Sequence, residues 1–306
     1  MRRSDAAACA FGSGGGVRSA SWGLLSALAL SACAHAPPAS LFPTAEAAIA
    51  RMRATVACSR GVRGESKVDY FGEQGRVRVS ALFVAARPER LRIDVFSPFG
   101  ATLSTLTSDG RDFALLDFSG KQFFRGPASE CNLSRFLRVP VPPFALVSLL
   151  DGEAPVLVHQ PADASIAWDS GAYEIRIRSL HGASQVIRLE PVPKDWDKPW
   201  SEQRLRTRAV RVVQQGIELY RADLDDFVVA HTAAPRVDPD GIDPDVPPSG
   251  PACSAEVARH LHIQSEASAQ DVVLAQQDVW HNPPLDPDLF RQSPPAGVRV
   301  RASTCP

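Results

Sequence analysis

The sequence predicts an α+β protein that is mainly β, in which a few short helices interrupt an antiparallel sheet. Apolar and polar residues alternate with period two in many short segments, for example in 91–95 and 173–177. The pairs Asp-Gly at 109–110, Ser-Gly at 119–120 and Gln-Gly at 215–216 lie between such segments, where hairpin turns are expected. Together these observations predict a series of antiparallel hairpins.

The first element is a helix, predicted over 44–55. Thr44 can cap its start, and Ala48, Ile49 and Met52 fall near one face. A series of half-buried strands follows the helix. These strands are predicted at 77–81, 91–95, 103–105 and 113–118, and the run 101–124 forms successive hairpins.

The middle of the chain departs from this strand texture. Two short apolar helices are predicted at 132–139 and 144–150, on either side of the Pro-rich step 140–143. Gly152 stands where the second helix should stop. The alternation then returns, with strands predicted at 173–177, 185–189, 205–212, 217–222 and 227–230.

The last quarter of the chain begins with a predicted loop. The run 235–251 is rich in Pro, Asp and Gly and can bury little apolar surface. Short helices are predicted at 257–262 and 270–277. The segment 296–301 alternates once more, and we expect it to close the sheet as a last strand.

The N-terminus carries the features of a bacterial lipoprotein signal. The tetrapeptide Leu-Ser-Ala-Cys ends at Cys33 and follows the apolar run 22–29, which is too short to span a bilayer. Arginines at positions 2, 3 and 18 supply the positive start that export signals need. We therefore predict a lipoprotein signal peptide over 1–32 and acylation of Cys33. The alternative is an ordinary cleaved secretory signal in which Cys33 has no special role.

The rest of the chain is then a tether, 33–43, followed by one domain over 44–306 with a C-terminal extension. Ala34 stands where an Asp would retain a lipoprotein in the inner membrane of enteric bacteria, so outer-membrane localisation facing the periplasm is predicted. The net charge of −1 and the sequence pI near 6.7 give no overall basic field, which argues against nucleic acid as a partner.

Four cysteines remain after Cys33, and an even number in an exported chain predicts two disulfides. They are Cys58, Cys131, Cys253 and Cys305. Three pairings are possible in principle. We expect Cys58 to pair with Cys131 and Cys253 with Cys305, because the members of each pair belong to the same compositional segment of the chain.

Neither a catalytic nor a metal-binding pattern stands out in the sequence. There is no nucleophile-elbow pattern and no His-x-x-x-His on a convincing helix, so we predict that the chain is not an enzyme and uses no cofactor. The cysteines lack Cys-x-x-Cys spacing. Carboxylates at 238–245 faintly resemble a calcium loop, but prolines there prevent an EF-hand turn. A solvated acidic linker is the alternative, and we predict no metal site.

Two stretches carry a more specific pattern. The first is 90–103, RLRIDVFSPFGATL, in which a strand rich in Arg and aliphatic residues leads into a short Pro-apolar-Gly loop. The second is 136–142, FLRVPVP, followed by LLDG at 149–152. In their order and spacing these stretches resemble the LolB family of outer-membrane lipoprotein receptors. The resemblance covers roughly 44–229, and the tail beyond Ala230 and the expected disulfides depart from the family pattern.

The resemblance implies an incomplete, strongly curved antiparallel β-barrel with a lid of short helices, a fold shared with the soluble periplasmic carrier LolA. It also implies an apolar cavity that accepts the acyl chains of lipoproteins. The family's membrane-insertion loop corresponds here to Pro98, Phe99 and Gly100. The partners implied are the outer membrane, acylated lipoproteins and a periplasmic LolA-like carrier.

The residues of the 98–100 loop also predict an exposed aromatic side chain, independently of the resemblance. Phe99 lies between Pro98 and Gly100 at a predicted turn tip, where an aromatic side chain is hard to bury and suits a bilayer interface. The alternative is that Phe99 folds back into the core.

The cavity would be lined by apolar residues of strands and helices. The same residues would form the core of any curved sheet, so the sequence leaves a packed interior open. The function predicted is binding of lipoprotein acyl chains and their insertion into the membrane, with a non-catalytic envelope adaptor or a lipid sensor as alternatives. The cavity candidates are Val79, Leu91, Ile93, Val95, Leu103, Phe136, Leu137, Phe144, Leu146 and Leu149.

Overall fold

The computed structural model describes residues 36–72, 75–137, 139, 141–232 and 250–305. The predicted signal peptide and Cys33 lie outside the described residues, as does the part of the Pro/Asp-rich loop up to residue 249. None of the helices in the described part is long and apolar enough to cross a membrane.

Three α-helices and one large sheet make up the described part of the chain. The helices are α1 Ala45–Val56, α2 Glu130–Leu137 and α3 Pro143–Leu150. The strands are β1 Gly61–Gly72, β2 Gly75–Ala86, β3 Arg90–Phe96, β4 Thr102–Ser108, β5 Asp112–Asp117, β6 Gln122–Pro127, β7 Ala164–Asp169, β8 Ala172–Arg178, β9 Ala183–Pro191, β10 Leu205–Gln214, β11 Ile217–Val229, β12 His231–Thr232, β13 Glu256–Ser265, β14 Gln270–His281 and β15 Arg299–Ala302.

The protein is mainly β, as predicted, and its strands form an open, curved sheet. Their order is β15-β6-β5-β4-β3-β2-β1-β14-β13-β11-β10-β9-β8-β7, and neighbours are antiparallel apart from the parallel pair β15 and β6. The short β12 pairs with β14 in parallel. The sheet is therefore two meanders, β1 to β6 and β7 to β11, joined through β13 and β14.

The predicted hairpins and first helix are confirmed. Thr44 caps α1 by accepting a hydrogen bond at its Oγ1 from the Ala47 amide at 3.1 Å, and the apolar face of α1 is buried. The hairpin turn at 215–216 has positive φ at Gln215 and Gly216, as a two-residue turn requires. Both predicted central helices are present as α2 and α3.

The prediction of helices at 257–262 and 270–277 is wrong, because these segments are the strands β13 and β14. Leu261 and Ile263 of β13, and Val272 and Leu274 of β14, alternate along their strands and are buried on one face of the sheet. β14 pairs with β1 and β13 with β11, and this pairing decides the structure of segments whose composition mixes Val and Ile with Ala, Gln and His.

The expected disulfide pairing is also wrong. Cys58 pairs with Cys253 and Cys131 with Cys305, with Cα–Cα distances of 5.2 and 6.1 Å. The physical reason is the topology: β14 lies between β1 and β13, and Cys253, just before β13, is thereby brought to the end of α1. Likewise β15 pairs with β6, so Cys305 reaches the start of α2.

The chain after β14 crosses the outer face of the sheet before it pairs as β15. Phe290 is buried there against Val84 and Ala86 of β2. The Gln292 side-chain amide donates to the main-chain oxygens of Thr105 and Ala114, both at 2.9 Å. The expected last strand is thus an edge strand that is held in place by a strap over the outer face.

The two ends of the sheet can be told apart from the strand register. One end, which we call the Phe99 end, carries the turns 97–101, 118–121 and 215–216. The other, which we call the Ser59 end, carries the turn 109–111 and the long connection 192–204. Because the neighbouring hairpin strands are antiparallel, the turns of each meander alternate between these two ends.

Candidate functional site

An apolar cavity of about 440 Å³ lies on the inner face of the first half of the sheet. Its floor is formed by β1 to β5 and β14, and its roof by the helical segment that contains α2 and α3. Its volume falls within the range of roughly 300–1,000 Å³ that is typical of ligand pockets. The lining residues are Ser66, Val68, Tyr70, Val77, Val79, Ala81, Phe83, Ile93, Val95, Leu103, Ser104, Leu106, Leu115, Phe136, Leu137, Val139, Leu146, Leu150, Val272 and Leu274.

Seven of the ten predicted cavity residues lie together around this space. Three lie elsewhere: Leu91 and Leu149 are fully buried in the core beside it, and Phe144 is 37% exposed on the other side of α3. The seven that line the cavity are Val79, Ile93, Val95, Leu103, Phe136, Leu137 and Leu146. Their role in binding acyl chains stays a prediction.

Sequence reasoning missed one wall of the cavity. Val68 and Tyr70 of β1 lie beside Val272 and Leu274 of β14, and all four line the space. The alternation of apolar residues at 272 and 274 was the available signal. The helix predicted at 270–277 conceals this alternation.

Exposure of the lining residues rises toward the Phe99 end of the sheet. Phe83 and Leu106, deep in the cavity, are buried, whereas Val77 near the start of β2 is 42% exposed. The cavity therefore has its mouth at the Phe99 end. We refer to this opening as the mouth below.

Phe99 is at the tip of the turn between β3 and β4 and is 96% exposed, so it does not fold back into the core. The turn is held by hydrogen bonds from the Gly100 amide to the Ser97 oxygen, at 3.0 Å, and from the Ser97 amide to the Ala101 oxygen, at 2.8 Å. Gly100 has φ +81°, which a residue with a side chain adopts at a cost. The turn thus holds the aromatic ring out into solvent, and its role at a membrane stays a prediction.

One polar pair interrupts the inner wall. The Ser66 hydroxyl and the Gln276 side-chain oxygen are buried and have no hydrogen-bond partner among the described residues. The two residues are direct cross-strand neighbours on β1 and β14. Buried polar atoms without partners are costly, so this position can accept a polar group of a bound molecule or a water.

The Ser59 end is closed by a buried polar network. The Asp151 carboxylate, just after α3, accepts hydrogen bonds from the Ser59 hydroxyl and from Arg87 Nε, the latter at 2.8 Å. Arg87 also pairs with Glu153. Burial raises the pKa of Asp151, and the charge of Arg87 and the Ser59 hydrogen bond oppose this shift. This network ties α3 to β1 and to the end of β2.

His281 completes the network from the end of β14. Its Nδ1 is 3.1 Å from Ser59 Oγ, and its Nε2 donates to the Ala255 main-chain oxygen at 3.2 Å. Burial lowers the pKa of this imidazole. Ser59, Asp151 and His281 resemble the composition of a catalytic triad, but here the serine lies between the other two and all three are buried. The arrangement is that of a structural hydrogen-bond network.

The chain enters the domain at this same end. The Ser40 main-chain oxygen accepts from Gln203 Nε2 at 3.0 Å, and the Trp200 amide donates to Ser40 Oγ at 3.0 Å. Phe42 packs edge-on against Tyr173, with 5.0 Å between ring centroids. Burial raises the pKa of Tyr173 to about 12. The segment that precedes α1 is therefore fixed at the end of the sheet opposite the mouth.

No His, Cys, Asp or Glu cluster in the described part of the chain is arranged to hold a metal ion. The acidic run 238–245 lies outside the described residues. The cavity itself is lined mostly by apolar groups, so its chemistry suits the binding of an apolar molecule.

Comparison with known proteins reveals similarity in structure only. No family model and no curated protein matches the sequence. A DUF1329 family protein from Desulfovibrio piger matches with a TM-score of 0.50 and 9% identity, over 80% of this chain and 95% of its own. A LolA superfamily protein from Nitrosomonas europaea matches with a TM-score of 0.47 and 12% identity, over 81% of this chain and 98% of its own. A domain from Vibrio parahaemolyticus, described as a candidate outer membrane lipoprotein-sorting protein, matches with a TM-score of 0.48 and 10% identity, over 79% of this chain and 95% of its own. The first match shows that the chain shares the fold of the DUF1329 protein.

Proposed function

We propose that this chain is a lipid-anchored outer-membrane protein, facing the periplasm, that binds the acyl chains of lipoproteins and helps to insert them into the membrane. The observation that carries the proposal is the position of the apolar cavity, whose mouth opens at the end of the sheet where Phe99 is fully exposed. A hydrophobic ligand would leave the cavity beside an aromatic side chain suited to a bilayer interface. The resemblance of 90–103 and 136–142 to the LolB family supports the same function.

The energetics of such a transfer are balanced. Each methylene of an acyl chain gains about 0.8 kcal/mol on leaving water, whether it enters an apolar cavity or a bilayer. Moving a chain from one to the other therefore needs no nucleotide energy. The protein has only to shield the chain from water on the way.

The helices α2 and α3 serve as the lid in this proposal. Phe136 and Leu137 of α2 and Leu146 and Leu150 of α3 form part of the cavity roof. The cavity of about 440 Å³ is at the small end of ligand pockets, so several acyl chains would enter only if this roof moved outward.

The anchor and the partners come from the sequence. Acylation of Cys33 would hold the protein at the outer membrane, and a periplasmic LolA-like carrier would deliver the acylated cargo. The protein acts without a cofactor and without catalysis in this proposal.

A transfer assay tests the proposal. The protein is mixed with an acylated lipoprotein bound to its carrier, and transfer of the cargo to the protein and then to liposomes is followed. We expect uptake and delivery by the natural protein, and uptake without delivery by Phe99→Glu. Val229→Glu is the matched control, because Val229 is 57% exposed at the Ser59 end. Failure of uptake would refute the receptor function, and uptake without any delivery would favour a lipid sensor.

A further inference from the structure

We propose that the turn between β5 and β6, which carries Phe118 and Lys121, is a second bilayer-docking point beside Phe99. The proposal rests on the proposed function, because it assigns the same membrane as partner to a further part of the Phe99 end. It adds a contact that neither the sequence pattern nor the loop at 97–101 contains.

The two turns are neighbours at the mouth. The Phe118 amide donates a hydrogen bond to the main-chain oxygen of Leu103 at 3.1 Å. Leu103 itself lines the cavity, and the adjacent Thr102 pairs with Phe96, the last residue before the Phe99 turn. Since neighbouring strands are about 4.8 Å apart, the base of the second turn is one strand away from the first.

The chemistry of the two turns fits a lipid headgroup region. Phe118 is 46% exposed, and Lys121 is exposed and makes no ion pair within the described residues. The five residues 97–101 are uncharged. Two acidic groups lie near the turns, and both have partners: Asp117 accepts a hydrogen bond from the Gly120 amide at 3.0 Å, and Glu65 lies 3.6 Å from Lys67 Nζ. Arg299 of β15 is exposed beside Lys121, whose main-chain oxygen accepts a hydrogen bond from the Arg299 amide at 3.2 Å. Exposed aromatic rings beside exposed basic side chains are the combination that favours an anionic bilayer interface.

The turns that carry Phe99 and Phe118 are both ordered by internal hydrogen bonds in the free protein, before any contact with a bilayer. The Asp117 cap fixes the second turn, and the hydrogen bonds within 97–101 fix the first. Preorganised groups lose little conformational freedom on binding, so two modest contacts can add up to stable docking. The docked surface would surround the mouth on the side of β3 to β6.

Vesicle flotation tests the inference. The chain from residue 33 onward is used with Cys33→Ser, so that neither acylation nor the apolar run 22–29 dominates binding, and the vesicles contain phosphatidylethanolamine and phosphatidylglycerol. We expect Phe118→Ser to weaken partitioning by about tenfold, as loss of one inserted aromatic ring implies. Phe99→Ser should have a similar or larger effect, and Val229→Ser, at the Ser59 end, should have none. Lys121→Gln should weaken binding roughly fivefold with phosphatidylglycerol and have no effect with phosphatidylcholine alone.

The outcomes separate this inference from the proposed function. If Phe118→Ser binds vesicles as the parent does while Phe99→Ser does not, the second docking point is refuted and the proposed function stands. If a photo-crosslinker placed at position 118 labels a protein in cell envelopes and no lipid, the inference is refuted as well. Binding of a fluorescent fatty acid by the parent is measured in parallel, because a parent that does not bind it would refute the proposed function itself. Thermal unfolding of each variant shows that the fold is retained.

Discussion

The disulfide between Cys131 and Cys305 gives the sharpest quantitative prediction. It joins the start of α2 to the chain just after β15, across a sequence separation of 174 residues. A cross-link that closes a loop of this length reduces the conformational entropy of the unfolded chain, which raises the free energy of the unfolded state by about 5 kcal/mol. The other disulfide, Cys58 to Cys253, already shortens the connecting path, which lowers the figure only slightly because the dependence on length is logarithmic. The double variant Cys131→Ser/Cys305→Ser should therefore lose up to about 4–5 kcal/mol of unfolding free energy.

Urea unfolding of the oxidised parent and of this double variant measures the loss. Both cysteines are replaced together so that no free thiol can exchange with the remaining disulfide. We also expect β15 and α2 to exchange their amide hydrogens faster in the variant, because the bridge holds both elements at the edge of the sheet. Peptide mapping without reduction should recover the pairs 58–253 and 131–305. Recovery of a 58–131 peptide, or a loss below about 1 kcal/mol, would refute the reasoning.

Three further variants test other parts of the structure. Asp195→Asn removes a buried carboxylate whose pKa is lowered by its hydrogen bonds to Arg204, so we expect a loss of about 2 kcal/mol in urea unfolding at neutral pH. Because the pKa of Asp195 is lower in the folded protein than its ordinary value of 3.8, the ionised carboxylate stabilises the fold above that pH and loses this contribution as the pH falls below it. The unfolding free energies of parent and variant should therefore converge in acid, and a difference that stays constant with pH would contradict this. Gly126→Ala should cost about 2 kcal/mol or more and free β15, because a Cβ there would lie 2.0 Å from the Ser303 oxygen; an unchanged melting temperature would contradict this. Leu103→Asp places a charge at the mouth, so a fluorescent fatty acid should bind at least about tenfold more weakly while the fold is retained, and unchanged affinity would argue against the cavity as the binding site.

The sequence predicts the parts of the fold that are set by local signals. Thr44 at the start of α1 and the turn pair at 215–216 act through contacts within a few residues, and both predictions are confirmed. The strands β13 and β14 have a short apolar alternation of their own, at 261 and 263 and at 272 and 274, but their place in the sheet depends on distant partners in β1 and β11. The disulfide pairing fails for the same reason, since it follows from where those strands lie.

The cavity was predictable only in part, and for a physical reason. Leu91, Ile93 and Val95 alternate on the same face of β3, so no pattern in the sequence distinguishes them. In the structure Leu91 is packed in the core near the Ser59 end, while Ile93 and Val95 line the open space. What separates them is their position along β3: Leu91 is nearest the Ser59 end and the polar network of Asp151, whereas Ile93 and Val95 lie farther along the strand, toward the mouth. Packing of that kind is decided by several elements at once and leaves no trace in a single strand.

The two ends of the sheet are held by different contacts, and this difference predicts where the cavity would open first. At the Ser59 end, the network of Ser59, Asp151 and His281 and the Cys58–Cys253 disulfide lock helices and strands together, and Ser40 and Phe42 fix the entering chain there. At the Phe99 end, mostly apolar residues surround the mouth. Local opening costs least where few buried contacts oppose it, so the roof of the cavity should yield at the mouth before it yields elsewhere. The chain that leads toward Cys33 thus joins the end of the sheet that the polar network and the disulfide hold, and the mouth lies at the opposite end.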